Sequence, residues 1–469
     1  MKNIYLNEWR GFLRNKILVF ILCFFVLILS LVTYFGVLQN TKQIQTQKDA
    51  RVHIRKQWDE LGSYNPHSAA HYGTYAFKSN SNLMSLDEGV NAVTGLVLRL
   101  EGHKQHDVSF SEASQSLAVS RFGKLKSSLF FQFIIPIFLI FVSFNSFTSE
   151  LSSGRLKLLI IQGNSLRKIV FSKILCILSI ATILLFISVI IHLLFNSQEF
   201  TIDHAIRLCV FFFTYFIYYF VIVSFTFLLS LKFKTSTSAL SLTLIVWLLW
   251  TIFLPKTIGD LTEKFTPLSS RFILSEDMKE DRLKGIDGHN PSDKRRKKLE
   301  EEVLLKYKVD SVSQLPINFS GIVLQADEEY GNKIWDKHYG KLHEKLKQQK
   351  KNYQLSGFIN PFASLQSLSM ASCGTDLIHH IDFLNNSEKY RRYFVKTLND
   401  EYTYGRFLSE EGGKKSSGDF FKSIKDFKYH EPSFLLLLSY YYIDIFSILF
   451  WFSSLVLLIS YTSKKIEIQ

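Results

Sequence analysis

Three histidine-bearing stretches hold the residues best suited to chemistry in this chain. "HSAAH" sets His67 and His71 four residues apart, on one face of a helix, a common two-ligand spacing for a metal. "GTDLIHH" sets Asp376 three residues before His379 and four before His380, and "EGHKQHD" adds His103 and His106. Two such pairs brought together would make a four-ligand site for zinc or copper. Nothing in the sequence brings them together, and the 4 methionines and 4 cysteines form no Met-x-Met or Cys-x-x-Cys pattern that would support soft Cu(I). Histidine and aspartate on a helix of a packed domain more often cap, hydrogen-bond or pair with arginine. The expectation is a polar network of His67, His71, Asp376, His379 and His380, the last three turned to the core, with no metal assigned.

Other chemistries are missing their parts. "GGKKSS" at Gly412 lacks the earlier glycine and the G-K-[ST] ending of a phosphate loop. No H-E-x-x-H and no G-x-S-x-G occurs. The chain is therefore expected to carry no catalytic site and no cofactor of its own. Two further polar residues fall in or near apolar runs, Asp444 in "YYYIDIFSI" and His192. Ionisable groups in lipid are costly and functional candidates by default, but both read best as placed near an interface, where the cost is small.

The elements that must position these residues are membrane helices. Of 469 residues, 47% are hydrophobic and 43 are phenylalanine, and the apolar residues gather into runs. Runs of about 20 span a bilayer core, and backbone in lipid must satisfy its own hydrogen bonds, so the runs are helices. Six follow, at residues 17–37, 127–147, 174–195, 208–231, 236–254 and 440–461. The second holds Pro136, expected to kink it, and the fifth is expected to stop at Pro255. "PSFLLLLS" reads as an interfacial lead-in to the sixth. The first run is too long for the apolar core of a signal peptide and lacks a small-residue cleavage site.

Orientation follows from where short loops keep lysine and arginine. Residues 1–16, the loop 148–173, the turn with Lys232 and Lys234, and the tail 462–469 are basic, whereas "NSQEFTIDH" carries only acidic charges. All the basic segments fall on one side if both termini are cytoplasmic. Residues 38–126 and 256–431 then lie outside and read as mainly helical. The second is basic, which contributes to the net charge of +14 and would suit anionic headgroups or an acidic partner, or simply a solvated surface. Cys23, Cys176 and Cys209 fall in spans, leaving Cys373 alone outside and without a disulfide partner. The expected fold is an all-α integral membrane protein with a mainly helical extracytoplasmic domain.

The loop "SELSSGRLKLLIIQGNSLRKIVFSK" combines a short amphipathic segment, glycines at its ends and flanking basic residues. By itself it could anchor at headgroups. Its arrangement also resembles ABC exporters of the type-2 permease class: an acidic residue at a span end, a glycine, a short helix, a Gly-x-Ser break, then basic residues. "NEWRGFLRNKILVFILCFFVLILS" is similar to the elbow helix before their first span. "SYNPHSAAHYGTYAFKSNSNLMSLDEGV", "LPINFSGIVLQADEEYG" and the block from "NPFASLQS" through "GTDLIHHIDF" to "VKTLN" resemble one bacterial subfamily with an enlarged outer domain. That subfamily is more distantly similar to the permeases of multicopper-enzyme maturation.

The resemblance implies a multi-pass protein of the bacterial cytoplasmic membrane. Glu150, Gly154, Arg155, Leu156, Leu158, Leu159 and Gly163 match the segment that docks on a cytoplasmic ABC ATPase. Two such ATPases, binding ATP and Mg, would drive a pair of permeases, as a homodimer or with a similar sister subunit. Export fits the class. Membrane lipid and a periplasmic or outer-membrane partner are further expected contacts, and nucleic acid is not. The alternative implied is a complex that uses ATP to drive its outer domain without moving cargo.

Overall fold

The N-terminal helix α1 (Lys2–Arg14) ends at Asn15, whose extended backbone breaks the helix. The Asn15 carboxamide oxygen accepts from the amides of Ile17 and Leu18 and caps the next helix, α2 (Lys16–Asp59). α1 buries Ile4 and Phe12, and its Trp9 indole donates to Ser179 at 3.0 Å. The computed structural model describes residues 1–79, 81, 83–106, 108, 126–196, 199–233, 235–405 and 414–465. Lys234, Gly412, Gly413 and residues 466–469 of the tail lie outside them.

Among the described residues, six helices are long and apolar enough to cross a membrane. They are α2, α4 (Ser127–Ser152), α6 (Leu166–Phe195), α7 (Ile202–Lys232), α8 (Ser236–Phe265) and α15 (Tyr442–Lys465). Between α2 and α4 lie α3 (Pro66–Tyr72) and two antiparallel strands, β1 (Thr74–Phe77) and β2 (Val97–Leu100). Between α4 and α6 sits the short α5 (Arg155–Ile161). Between α8 and α15 comes a helical domain: α9 (Arg271–Lys284), α10 (Ser292–Tyr307), α11 (Phe319–Leu355), α12 (Pro361–Ser372), α13 (Leu377–Tyr404) and α14 (Gly418–Ser423). The main apolar core joins α4, α6, α7, α12 and α15.

Both prolines in spans are preceded by a π-helical turn, Phe130–Ile134 before Pro136 and Leu249–Phe253 before Pro255. Proline lacks an N–H and its ring crowds the carbonyl four residues back, and the wider turn relieves both problems. This corrects the expectation at Pro255. The helix does not stop there but runs on to Phe265. The lead-in to α15 is a 3₁₀ helix over Phe434–Tyr440.

Two helices extend well past their apolar part. α2 has 44 residues, about 66 Å at 1.5 Å per residue, against a bilayer core of about 30 Å. Its polar half is fastened at the far end, where Trp58 donates to the Phe421 carbonyl and Arg55 to those of Lys422 and Ile424. α11 has 37 residues and leads through a 3₁₀ turn at Ser356–Phe358 into α12, forming a hairpin that enters the bundle. The hairpin tip meets Trp451, whose indole donates to the Gly357 carbonyl at 2.9 Å. Trp451 is nine residues, about 14 Å, into α15. A Cβ at Gly357 would collide with the hydroxyls of Ser364 and Ser447, so only glycine lets the turn approach this closely. α12 is buried nearly all round by Phe362, Ser364, Leu365, Leu368 and Ser369 among others.

Candidate functional site

α5 is set off from its neighbours by two glycines in the left-handed region, Gly154 at φ +71 and Gly163 at φ +84. Leu156 anchors it, fully buried, and Leu159 packs beside the core. Leu158 and Ile161 point away, 60% and 80% exposed, and Arg155 is also exposed, its Nε donating to Ser153. The short helix thus has one side attached and one apolar side free.

Beneath α5 lies a charge cluster that ties three elements. Lys173 on α6 is buried, with Nζ 2.6 Å from Glu8 of α1 and 2.9 Å from Glu150 of α4. Ser172 reaches the Met1 carbonyl at 3.3 Å. A cleft of about 560 Å³ runs between α1 and α5, lined by Asn7, Glu8, Glu150, Arg155 and Leu158. The cluster thus ties the ends of α4 and α6 to the N-terminal helix, beside the cleft that α5 lines. Sequence reasoning named Glu150 but missed Glu8 altogether and counted Lys173 only as a loop charge. An acidic residue in an otherwise basic N-terminal helix was the available signal.

The second cluster lies at the opposite end of the bundle. Asp376 caps α13, its Oδ1 accepting from the His379 amide and lying 2.6 Å from His379 Nδ1. The Tyr441 hydroxyl donates to Asp376 Oδ2 at 3.0 Å, and Lys350 Nζ lies 3.5 Å away. Beyond His379 sits Arg207 of α7, which pairs with Asp203 and Glu431 and donates to the carbonyls of Ala371, Ser372 and Pro432. Asp376, His379 and Arg207 are at most 2% exposed. Burial alone would raise the Asp376 carboxyl, but Lys350 and the hydrogen bonds from His379 outweigh it and hold it well below the ordinary range. Charges this deeply buried must be paired, and here they are. The cluster ties the domain to α7.

The predicted histidine group divides in two. His67 and His71 face each other on α3 and meet His103, with no partner in common with Asp376 and His379. His380 turns aside to Lys78 and His343, and burial chiefly lowers its pKa to about 3. His106 pairs with Glu101. His192 is fully buried, its ring between Ser85 at 3.1 Å and His204 at 3.3 Å. Asp444 sits in the first turn of α15 and is sealed against the hairpin. Its Oδ2 accepts from Ser367 at 2.6 Å and Gln354 at 2.5 Å. Asp87, absent from the sequence candidates, accepts from Ser369, Gln132 and the Gly89 amide on the hairpin's other flank.

Comparison with known families gives two matches that overlap at residues 271–284. Residues 2–284 match a family described as ABC-2 family transporter protein, and residues 271–430 match a domain of unknown function (DUF3526). No curated protein and no solved structure matches the chain. The first match covers α1, the first five spans and α5, while the second takes in the helical domain with Lys350, Asp376 and His379. With more than half its length matched, the chain belongs to the ABC-2 transporter family, as a multi-pass membrane subunit carrying an additional helical domain.

Proposed function

We propose that this chain is the permease subunit of an ATP-driven exporter, energised by two copies of a separate cytoplasmic ATPase that bind ATP and Mg. The observation that carries the reading is α5: a short helix with an exposed apolar side, hinged on two glycines and underlain by the Glu8–Lys173–Glu150 cluster. On this reading the ATPase covers Leu158 and Ile161, and its closure moves α5, then α1 and the ends of α4 and α6. The end of the bundle with α1 and α5 faces the cytoplasm, in line with its lysines and arginines. A second permease, identical or similar, completes the pathway. The helical domain then stands outside the cell membrane, where it gates the exit or receives a partner. The chain itself performs no catalysis.

A second reading keeps the ATPase but moves no cargo. It is favoured by the two long helices, α2 and α11, which run unbroken between the bundle and the domain and suit the transmission of force. Stimulation of ATP hydrolysis by an outer partner, with no compound transported, would choose this reading.

The shared step is tested by co-expressing the chain with candidate ATPases and purifying the complex in detergent. Leu158→Ser with Ile161→Ser should leave expression and melting temperature unchanged, because exposed substitutions cost about 0.5 kcal/mol or less. The same pair should abolish co-purification of the ATPase. Retention of a fully stimulated ATPase by the double variant would remove α5 from the mechanism.

A further inference from the structure

His67 and His71 stand on successive turns of α3, and His103 stands in the turn that follows β2. A backbone bond joins the two segments, the Gly102 amide donating to the Ala70 carbonyl at 2.9 Å, which brings His103 over α3. One ring nitrogen from each histidine lies within 4.8 Å of the other two. The Nε2 atoms of His67 and His71 are 3.3 Å apart. For nitrogen ligands at about 2.0–2.1 Å from a tetrahedral ion, the edge between two ligands is about 3.3–3.4 Å. The spacing fits.

Two features distinguish this group from a chance meeting of imidazoles. His103 adopts φ +62, a conformation uncommon outside glycine that persists where the surroundings enforce it. What holds it is Glu328 of α11, whose Oε1 lies 2.8 Å from His103 Nδ1 and also accepts from the His103 amide. A carboxylate on Nδ1 fixes the tautomer and leaves Nε2 as a lone-pair donor, the arrangement that supports metal-binding histidines. Glu328 is itself held by Arg391 of α13, at 2.9 Å. His67 is half-buried, and its Nδ1 has no hydrogen-bond partner among the described residues.

We propose that His67, His71 and His103 bind a divalent cation of the zinc type through three imidazoles, oriented by Glu328, with a fourth position open beside the exposed His71. An all-nitrogen set suits Zn²⁺, and also Cu²⁺ or Ni²⁺, rather than Mg²⁺ or Ca²⁺. The ion would close α3 onto the turn after β2. Through Glu328 and Arg391 it would lock the segment between the first two spans to α11 and α13. This site is independent of whether α5 receives an ATPase.

The test uses the full-length chain in detergent, stripped with chelator and titrated with Zn²⁺ by calorimetry, with Mg²⁺ as the control. The wild type should bind one Zn²⁺ and melt at a higher temperature with it. His71→Ala, at an exposed position, should keep the metal-free melting temperature, lose the Zn²⁺-induced rise and bind about 100-fold or more weakly, since loss of even an orienting partner typically costs 10–100-fold. His103→Asn should lose the Zn²⁺-induced rise and the affinity likewise, with a lower metal-free melting temperature because buried Glu328 loses its imidazole partner, while asparagine tolerates the left-handed backbone. His106→Gln, outside the group, should bind as wild type. Unchanged Zn²⁺ affinity in both His71→Ala and His103→Asn would mean an adventitious ion elsewhere and overturn the proposal. So would a wild type that binds no Zn²⁺.

Discussion

At one end of the bundle, α5 leaves Leu158 and Ile161 exposed, and a Cβ added at Gly154 or Gly163 would meet nothing within 4 Å. At the other end, Arg207, Asp376, His379 and Tyr441 are closed off from solvent, and the contacts that join Arg207 to His379 and Tyr441 to Asp376 bring together distant parts of the chain. The first end is hinged and unfilled; the second is welded. A subunit that receives a stroke at one face and transmits it needs this division, because a rigid anchor is what turns the movement of a short helix into movement of whole spans. The large domain is therefore an integral part of the bundle rather than an appendage, entering it through the hairpin between α11 and α12.

The largest effect should come from breaking the weld. Arg207→Met removes the cation that faces Asp203, Glu431 and His379 and leaves two carboxylates and three carbonyls without their donor. Removing one partner of a buried ion network costs roughly 3–5 kcal/mol. The expected result is poor expression, with a melting temperature in detergent far below that of the Leu158→Ser, Ile161→Ser variant. Equal melting temperatures for the two variants would erase the distinction between the ends.

The same contrast explains what could be read from sequence. The six spans are local facts, written in composition over about 20 residues, and so is α5, because two glycines and an amphipathic run suffice to mark it. The weld is not local. Arg207 reads as one basic residue at a span end until α7 meets His379, 172 residues later. "NPFASLQSLSMAS" is too short and too rich in serine to read as membrane-embedded, and its hydroxyls are acceptable only because Asp444, Asp87, Tyr215 and Ser447 answer them. The histidines show the same limit. The i, i+4 pair at His67 and His71 was legible, but its true companion, His103, depends on the backbone bond between Gly102 and Ala70.

A smaller effect, tied to pH, should appear in the domain and not at α5. His380 is partly buried, its Nδ1 has no hydrogen-bond partner among the described residues, and Lys78 and His343 add to the burial that lowers its pKa from 6.5 to about 3. The folded protein keeps the ring neutral, while the unfolded chain takes up a proton below about pH 6.5. The stability so held is complete above pH 6.5 and is lost as the pH falls towards 3. At pH 5 the loss is about 2 kcal/mol. His380→Leu removes the titrating ring, and the fall in melting temperature from pH 7 to pH 5 should be shallower than in the wild type. An unchanged slope would mean that His380 is solvated, and that this part of the domain is less tightly closed than the Asp376 cluster.

The smallest effect on stability, and the sharpest on coupling, should come from Gly154→Ala. The position is open in space, so the methyl group clashes with nothing. The cost is that of holding an L-residue at φ +71, about 1–2 kcal/mol. The chain can avoid that cost by turning α5 about its N-terminal end, since Leu156 is its one fully buried anchor. Such a rotation would leave the Asp376 cluster untouched while misaligning Leu158 and Ile161. The variant should melt within a few degrees of wild type and still co-purify some ATPase, yet stimulate its turnover poorly. Normal stimulation would show that the glycine is a tolerated turn residue rather than the hinge. A collapse in melting temperature comparable to Arg207→Met would show that the two ends are not mechanically distinct.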